Sequence, residues 1–145
     1  MVLNTRHTGI VVINLDAAIK FYSGLGMDLV SRMTEQGEYI DTLVGLTKTR
    51  LEWAKLKLPD DSVLELLQYH SHPILNGDIV LQVSNRLGCS HIAFTVKDMN
   101  QAISYIIGNG GSIKKNFQIS PDGKVKVVYC YDLEGNILEI VEELE

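Results

Sequence analysis

The sequence predicts an α+β fold made of two tandem βαβββ modules, and three observations carry that prediction. The chain is written twice: an offset of 84 takes His7 onto His91 and, without a gap, Ile10, Val12, Asn14, Ala18, Ile19, Phe21, Gly24 and Gly26 onto Phe94, Val96, Asp98, Ala102, Ile103, Tyr105, Gly108 and Gly110. A second echo closes each half, where Val63-Leu64-Glu65-Leu66-Leu67 stands 74 residues before Ile137-Leu138-Glu139-Ile140-Val141. In both halves the apolar spacing also switches from the period of a strand to that of a helix and back, in the same order.

The elements follow in turn. Residues 8–13 are β-branched and apolar, a strand signal, and Asn14 offers a side-chain N-cap to a helix over 15–22 whose Leu15, Ala18, Ile19 and Tyr22 share one face. Gly24 and Gly26 end it. Three strands are expected next, over 28–32, 51–58 and 63–69, with Pro59-Asp60-Asp61-Ser62 as the turn before the last. The second copy opens with a strand over 92–96 and Asp98 as N-cap, with Gln101 three residues on. Its helix turns Ala102, Ile103, Ile106 and Ile107 inward and ends at the glycines of 108–111. Strands over 112–115, 125–131 and 137–142 complete it, separated by Pro121-Asp122-Gly123 and Glu134-Gly135-Asn136. The change of offset from 84 to 74 puts about ten extra residues in the first half, between Glu35 and Arg50, where strand pattern is poor; this stretch is a candidate substrate loop.

A chain of 145 residues with 46% hydrophobic content suffices for one domain but not for two independent ones. Residues 1–145 are therefore expected to form a single domain of two modules, about 5–70 and 89–143, joined by a linker over 71–88 and sharing a core. A net charge of −5, with basic residues scattered, argues against nucleic acid and against a membrane surface and favours a small-molecule partner. The first residues lack a signal-peptide pattern and no apolar run approaches membrane-spanning length, so a cytoplasmic protein is expected. Cys89 and Cys130 then read as reduced thiols; a thiolate-ligand role for Cys89, two residues before His91, has only strand alternation behind it.

Each half opens with a histidine and closes with a glutamate, both set in apolar strand sequence where ionisable groups are costly. Strand alternation puts His7 on a face with Gly9 and Val11, and Glu65 with Leu67, while Leu64 and Leu66 face the helix. It likewise puts His91 with Ala93 and Thr95, and Glu139 with Ile137 and Val141. Gly9 and Ala93 leave room beside the histidines. A lone His or Glu of this kind would be read as a strand-end or edge residue in water, but nothing in packing requires an inward carboxylate twice. His7, Glu65, His91 and Glu139 are therefore expected to hold one divalent metal ion per site on the concave face of a curved mixed sheet, with mixed N/O donors that suit Zn, Ni, Co, Mn or Fe. His70 and His72 form a His-x-His beside Pro73, where a solvated loop is expected. Arg6, Lys48, Arg50, Arg86 and Lys124 are candidates for an anionic substrate tail, or plain surface charge.

The His-x-x-Ile-x-Val-x-Asn-Leu-x-x-Ala run from His7, its echo from His91, and the Asp-x-x-Gly-x-x-x-Glu run from Asp132 to Glu139 resemble the vicinal oxygen chelate superfamily, with the glyoxalase/bleomycin resistance/dioxygenase fold. The resemblance covers nearly the whole chain. It implies two βαβββ modules around a central metal site, the ligand role for His7, Glu65, His91 and Glu139, and a homodimer. It also implies an enzyme, a metal-dependent lyase or isomerase that abstracts a proton next to a carbonyl through a metal-bound enolate. Retention of both glutamates resembles glyoxalase I (lactoylglutathione lyase), with Glu139 and Glu65 as the catalytic carboxylates and Glu139 as the principal base. Glu65 is followed by Leu66-Leu67-Gln68-Tyr69-His70, where glyoxalase I typically carries a Thr-x-Asn-Trp-like stretch. Epimerases, of the methylmalonyl-CoA or the sugar type, are alternatives; for the former, Glu38 or Asp41 would serve as a second base. Two further alternatives are an extradiol-type dioxygenase and a metal-free binding or resistance protein.

Overall fold

The computed structural model describes residues 1–73 and 80–144. The chain divides into two compact units, Met1–Gly77 and Asp78–Glu145. The first runs β1 (Thr8–Val11), α1 (Leu15–Gly24), β2 (Asp28–Gln36), α2 (Glu38–Val44), β3 (Arg50–Lys57) and β4 (Val63–Tyr69). Its four strands make a mixed sheet in the order β1-β4-β3-β2, with β1 parallel to β4 and the other pairs antiparallel. The second runs β5 (His91–Thr95), α3 (Met99–Gly108), β6 (Ser112–Ile113), β7 (Gln118–Ile119), β8 (Val125–Tyr131) and β9 (Ile137–Glu143). It repeats the plan as β5-β9-β8-β6, with β7 also paired to β8. Both units follow the α+β, βαβββ plan that the duplication predicts, with α2 added in the first and the two-residue strand β7 added in the second.

In each unit one sheet face carries the helix and the core. Leu64 and Leu66 on β4 lie opposite Leu56 and Ala54 on β3, and all four are buried with Leu15, Ala18 and Phe21 of α1. Leu138 and Ile140 of β9 lie opposite Cys130 and Val128 of β8 and are buried with Met99, Ala102 and Ile106 of α3. The expected caps form, Asn14 Oδ1 accepting from Ala17 N at 3.0 Å and Asp98 Oδ1 from Gln101 N at 2.9 Å. A second anchor repeats with them. Gln68 Oε1 on β4 accepts from Leu15 N at 2.8 Å, and its counterpart Glu142 Oε2 on β9 accepts from Met99 N at 2.6 Å. Each closing strand thus satisfies a backbone donor that the start of a helix leaves unpaired.

Several expectations need correction. The stretch between Glu35 and Arg50 is not an open loop: β2 runs on to Gln36, which pairs with Arg50, and α2 follows. Ladder hydrogen bonds to β3 hold polar Thr34, Glu35 and Gln36 extended where side-chain pattern alone does not. Helix α2 buries Ile40, and Asp41 Oδ1 and Oδ2 accept from Thr49 N and Lys48 N at 2.7 and 3.0 Å. The linker expected over 71–88 is partly outside the described residues. Its described end belongs to the second unit, because Gln82 N donates to the Gly135 carbonyl at 3.0 Å and the Tyr131 hydroxyl donates to the Gln82 carbonyl at 3.0 Å. Gly135 is required there: its φ is +81°, and a Cβ would stand 2.5 Å from the Val80 carbonyl oxygen. Among the described residues no helix is long and apolar enough to cross a membrane.

Candidate metal centre

His7 lies one residue before β1, and Glu65 sits on β4 opposite Gly9. Facing residues of a parallel pair share a face, and His7 is two residues from Gly9, so both side chains stand on the side away from α1. There His7 Nε2 is 3.0 Å from Glu65 Oε2. In the second unit Ala93 lies opposite Glu139, His91 is again two residues earlier, and His91 Nε2 is 2.8 Å from Glu139 Oε2. The duplication therefore reproduces a side-chain geometry as well as residue types. The carboxylates are 13% and 22% exposed and the imidazoles 35% and 29%, so each pair is half-sheltered on a face whose reverse is core. At Gly9 a Cβ would come within 3.3 Å of Leu67 Cδ1, so the small residue keeps that face open beside the imidazole.

The donor chemistry fits a divalent ion. Bonds of about 2.0–2.2 Å from imidazole nitrogen and carboxylate oxygen set neighbouring donors about 3 Å apart, the spacing seen in both pairs. Among the described residues no three His, Cys, Asp or Glu side chains are gathered in one group; each unit supplies a pair.

The two pairs have different neighbours on the strand beside them. Across β3–β4, Lys55 faces Glu65, its Nζ 3.9 Å from Glu65 Oε1 and 4.7 Å from the centre of the Trp53 ring; Trp53 Nε1 donates to Glu35 Oε2 at 3.0 Å. Across β8–β9, Tyr129 faces Glu139, and its ring centre is 5.0 Å from that of His91 at a tilt of 44°. Cys89 is exposed and its Sγ lies 3.7 Å from the His91 carbonyl oxygen, whereas Cys130 is in the core, where burial pushes its thiol up to about 11.

Other candidates are placed elsewhere. His70 is not in a solvated loop: its N–H donates to the Arg50 carbonyl at 2.9 Å, extending the β3–β4 ladder one step beyond Tyr69. Its Nε2 is 2.8 Å from Glu52 Oε2 on the helix side of the sheet. Glu52 Oε1 accepts from Arg32 Nε at 2.7 Å, and Arg32 Nη1 reaches Asp16 at 2.7 Å. Arg32 and then His70 hold the Glu52 carboxyl below its ordinary range. His72 is exposed, its Nδ1 2.8 Å from Ser71 Oγ. Hydrogen bonds from Thr49 and then Lys48 depress the Asp41 carboxyl, which is committed to that loop, and Glu38 is exposed in the first turn of α2. Arg6, Lys48, Arg50, Arg86 and Lys124 are all exposed. Sequence reasoning passed over Lys55, which alternation alone presents as the wet side of a strand, and the Gln68/Glu142 anchors, although the repeat offsets already equate those two residues.

Two units of the βαβββ plan that each offer a histidine and a glutamate on the sheet face opposite the helix define a duplicated α+β protein. The family description Glyoxalase/Bleomycin resistance protein/Dioxygenase superfamily matches residues 5–140, and the chain belongs to that superfamily. Among solved structures, a glyoxalase family protein from Bacillus cereus is 27% identical with a TM-score of 0.91, covering 100% of this chain and 97% of that one. A glyoxalase I mutant from Zea mays shares the fold at 17% identity and a TM-score of 0.67, over 97% of this chain and 45% of that one. The lactoylglutathione lyase of Schizosaccharomyces pombe is 27% identical over 97% of this chain; the chain spans about half, 47%, of that relative's length.

Proposed function

We propose that this chain is a divalent-metal-dependent enzyme that moves a proton at a carbon next to a carbonyl group, a lyase or isomerase of the lactoylglutathione lyase kind. The observation that carries the reading is the twice-made contact of His Nε2 with Glu Oε2, at 3.0 Å for His7–Glu65 and 2.8 Å for His91–Glu139. Similarity to the Schizosaccharomyces pombe lactoylglutathione lyase supports the reaction class. His7, Glu65, His91 and Glu139 are the metal ligands, in a cytoplasmic homodimer. Such an ion, when bound, stabilises negative charge developing on a carbonyl oxygen.

The rest of the chemistry falls to the chain. Glu139, as the principal base, accepts the carbon-bound proton and returns it to the neighbouring carbon in an isomerisation; in an epimerisation the second carboxylate, Glu65, is the acid that protonates the opposite face. His91, 2.8 Å from Glu139 Oε2, and the tilted Tyr129 ring fix where that carboxylate sits. Glu65, its Oε2 3.0 Å from His7 Nε2, is the second carboxylate and shares the acid and base roles. Leu67 and the Gly9 backbone shape the surface on which the substrate lies.

The test is solvent deuterium incorporation into glutathione hemithioacetal, methylmalonyl-CoA and a simple α-hydroxyketone, with metal content measured on the same sample. Exchange into one of these with stoichiometric metal supports the reading and selects isomerase or epimerase. A metal-loaded protein that consumes O₂ with a catechol, or a protein that takes up no metal on reconstitution, contradicts it.

A further inference from the structure

Beside the His7–Glu65 pair the first unit has an open recess of about 590 Å³, large enough for a small metabolite, lined by Arg6, His7, Lys55, Asp60 and Asp61 among others. Its charges are unequally committed. Asp61 Oδ1 binds Lys57 Nζ at 2.9 Å, and Asp60 Oδ1 accepts from Ser62 N and Oγ at 3.0 and 2.6 Å, so both carboxylates are taken. The cations are not: among the described residues Arg6 has no carboxylate partner, and Lys55 stands at 3.9 Å from Glu65, beyond hydrogen-bond reach. Lys55 differs in this from Arg32, Lys57 and Lys126, each hydrogen-bonded to a carboxylate at 2.6–2.9 Å. Its side chain is instead only a third exposed, and its ammonium lies over Trp53 with its three donors left for something else.

We propose that Lys55, with Arg6 at the rim, forms an anion subsite that receives a carboxylate or phosphate carried within a few atoms of the substrate's reacting carbonyl. As a subsite for the substrate this rests on the proton-transfer reading above, since Lys55 adjoins the carboxylate that reading assigns to the metal; the anion site itself stands on the charge arrangement alone. A balancing role toward Glu65 would call only for a cation at that position. It would not call for one that stops short of hydrogen-bonding the carboxylate while bordering a recess in which Asp61 is paired with Lys57 and Asp60 is hydrogen-bonded to Ser62. Neutral sugar-like ketones are thereby disfavoured, and small oxo- or hydroxy-acids, acyl thioesters bearing a carboxylate and phosphorylated ketones are favoured.

Trp53 is the chain's single tryptophan, so its fluorescence reports on Lys55 without any turnover. The protein, both metal-free and metal-loaded, is titrated with lactate, with inorganic phosphate and with lactamide, the uncharged analogue of lactate. Lactate or phosphate should change Trp53 emission saturably, at a midpoint at least tenfold lower than lactamide. Lys55→Met and Lys55→Gln should each raise that midpoint at least tenfold, with circular dichroism and metal content unchanged. A stronger response to lactate assigns a carboxylate, and a stronger one to phosphate a phosphoryl group. Equal response to lactate and lactamide, or wild-type lactate and phosphate binding in both variants, overturns the proposal. Anion binding that survives in a protein taking up no metal would leave the subsite standing while removing the metal-dependent reading.

Discussion

Replacing Glu139 with Gln changes one oxygen to an NH₂ group at constant size, and its consequences for fold and for chemistry should differ by orders of magnitude. The residue is mid-strand on β9, paired with Tyr129 and Ala93, on the face away from the core, and 22% exposed. The His91–Glu139 contact is that of a half-exposed pair, for which about 0–1 kcal/mol is typical. In a chain of this size about 1 kcal/mol moves the melting temperature by roughly 2–4 °C. Removing a general base instead costs about 10²–10⁴ in rate, or roughly 3–5 kcal/mol of barrier, and the neutral amide also weakens the metal site. The assay pairs thermal unfolding of the metal-free protein with the rate of deuterium incorporation into the best substrate, with bound metal quantified. A variant with metal bound and exchange within tenfold of wild type would refute the base assignment. A melting temperature lowered by more than 10 °C would refute the view that this face can change without disturbing the core.

Leu66 is fully buried on the helix face of β4, so Leu66→Ala should cost about 2–5 kcal/mol in denaturant unfolding, and a loss under 1 kcal/mol would mean that the core has been misplaced. Gln68→Leu leaves the first N–H of α1 without its acceptor and should destabilise by about 1–3 kcal/mol; an unchanged urea midpoint would show that the anchor is dispensable. Glu52 has its carboxyl lowered by Arg32 and His70, so its contribution is full above the ordinary carboxylate value and is lost as pH falls through the lowered folded value. Glu52→Gln should flatten the acid limb of the stability curve, and an unaltered acid limb would count against the ion-pair chain.

The repeat made most of this architecture legible. Strands β4 and β8 fall on the residues that period-two spacing marks, and both helices begin where Asn14 and Asp98 cap them. The candidate pairs were legible for the same reason, since a carboxylate recurring in an apolar strand is informative when a copy confirms it. What escaped depends on partners distant in sequence. Helix α2 is seven residues long, buries Ile40 alone among them and starts at Gly37 without a side-chain cap, so it carries no periodic signal. The end of β2 is held by its neighbour and not by its own residues. His70 joins the sheet through backbone pairing with Arg50, which no local pattern announces, and Lys55 is distinguished only by what it fails to bond.

The central claim is that His7, Glu65, His91 and Glu139 are metal ligands, and metal content with pair-specific variants tests it most directly. Protein reconstituted with excess Zn, Ni, Co, Mn or Fe and freed of loose metal should retain bound metal, with His7→Ala and His91→Ala each lowering the amount retained. Retention of no metal, or metal content that survives either substitution unchanged, would contradict the account.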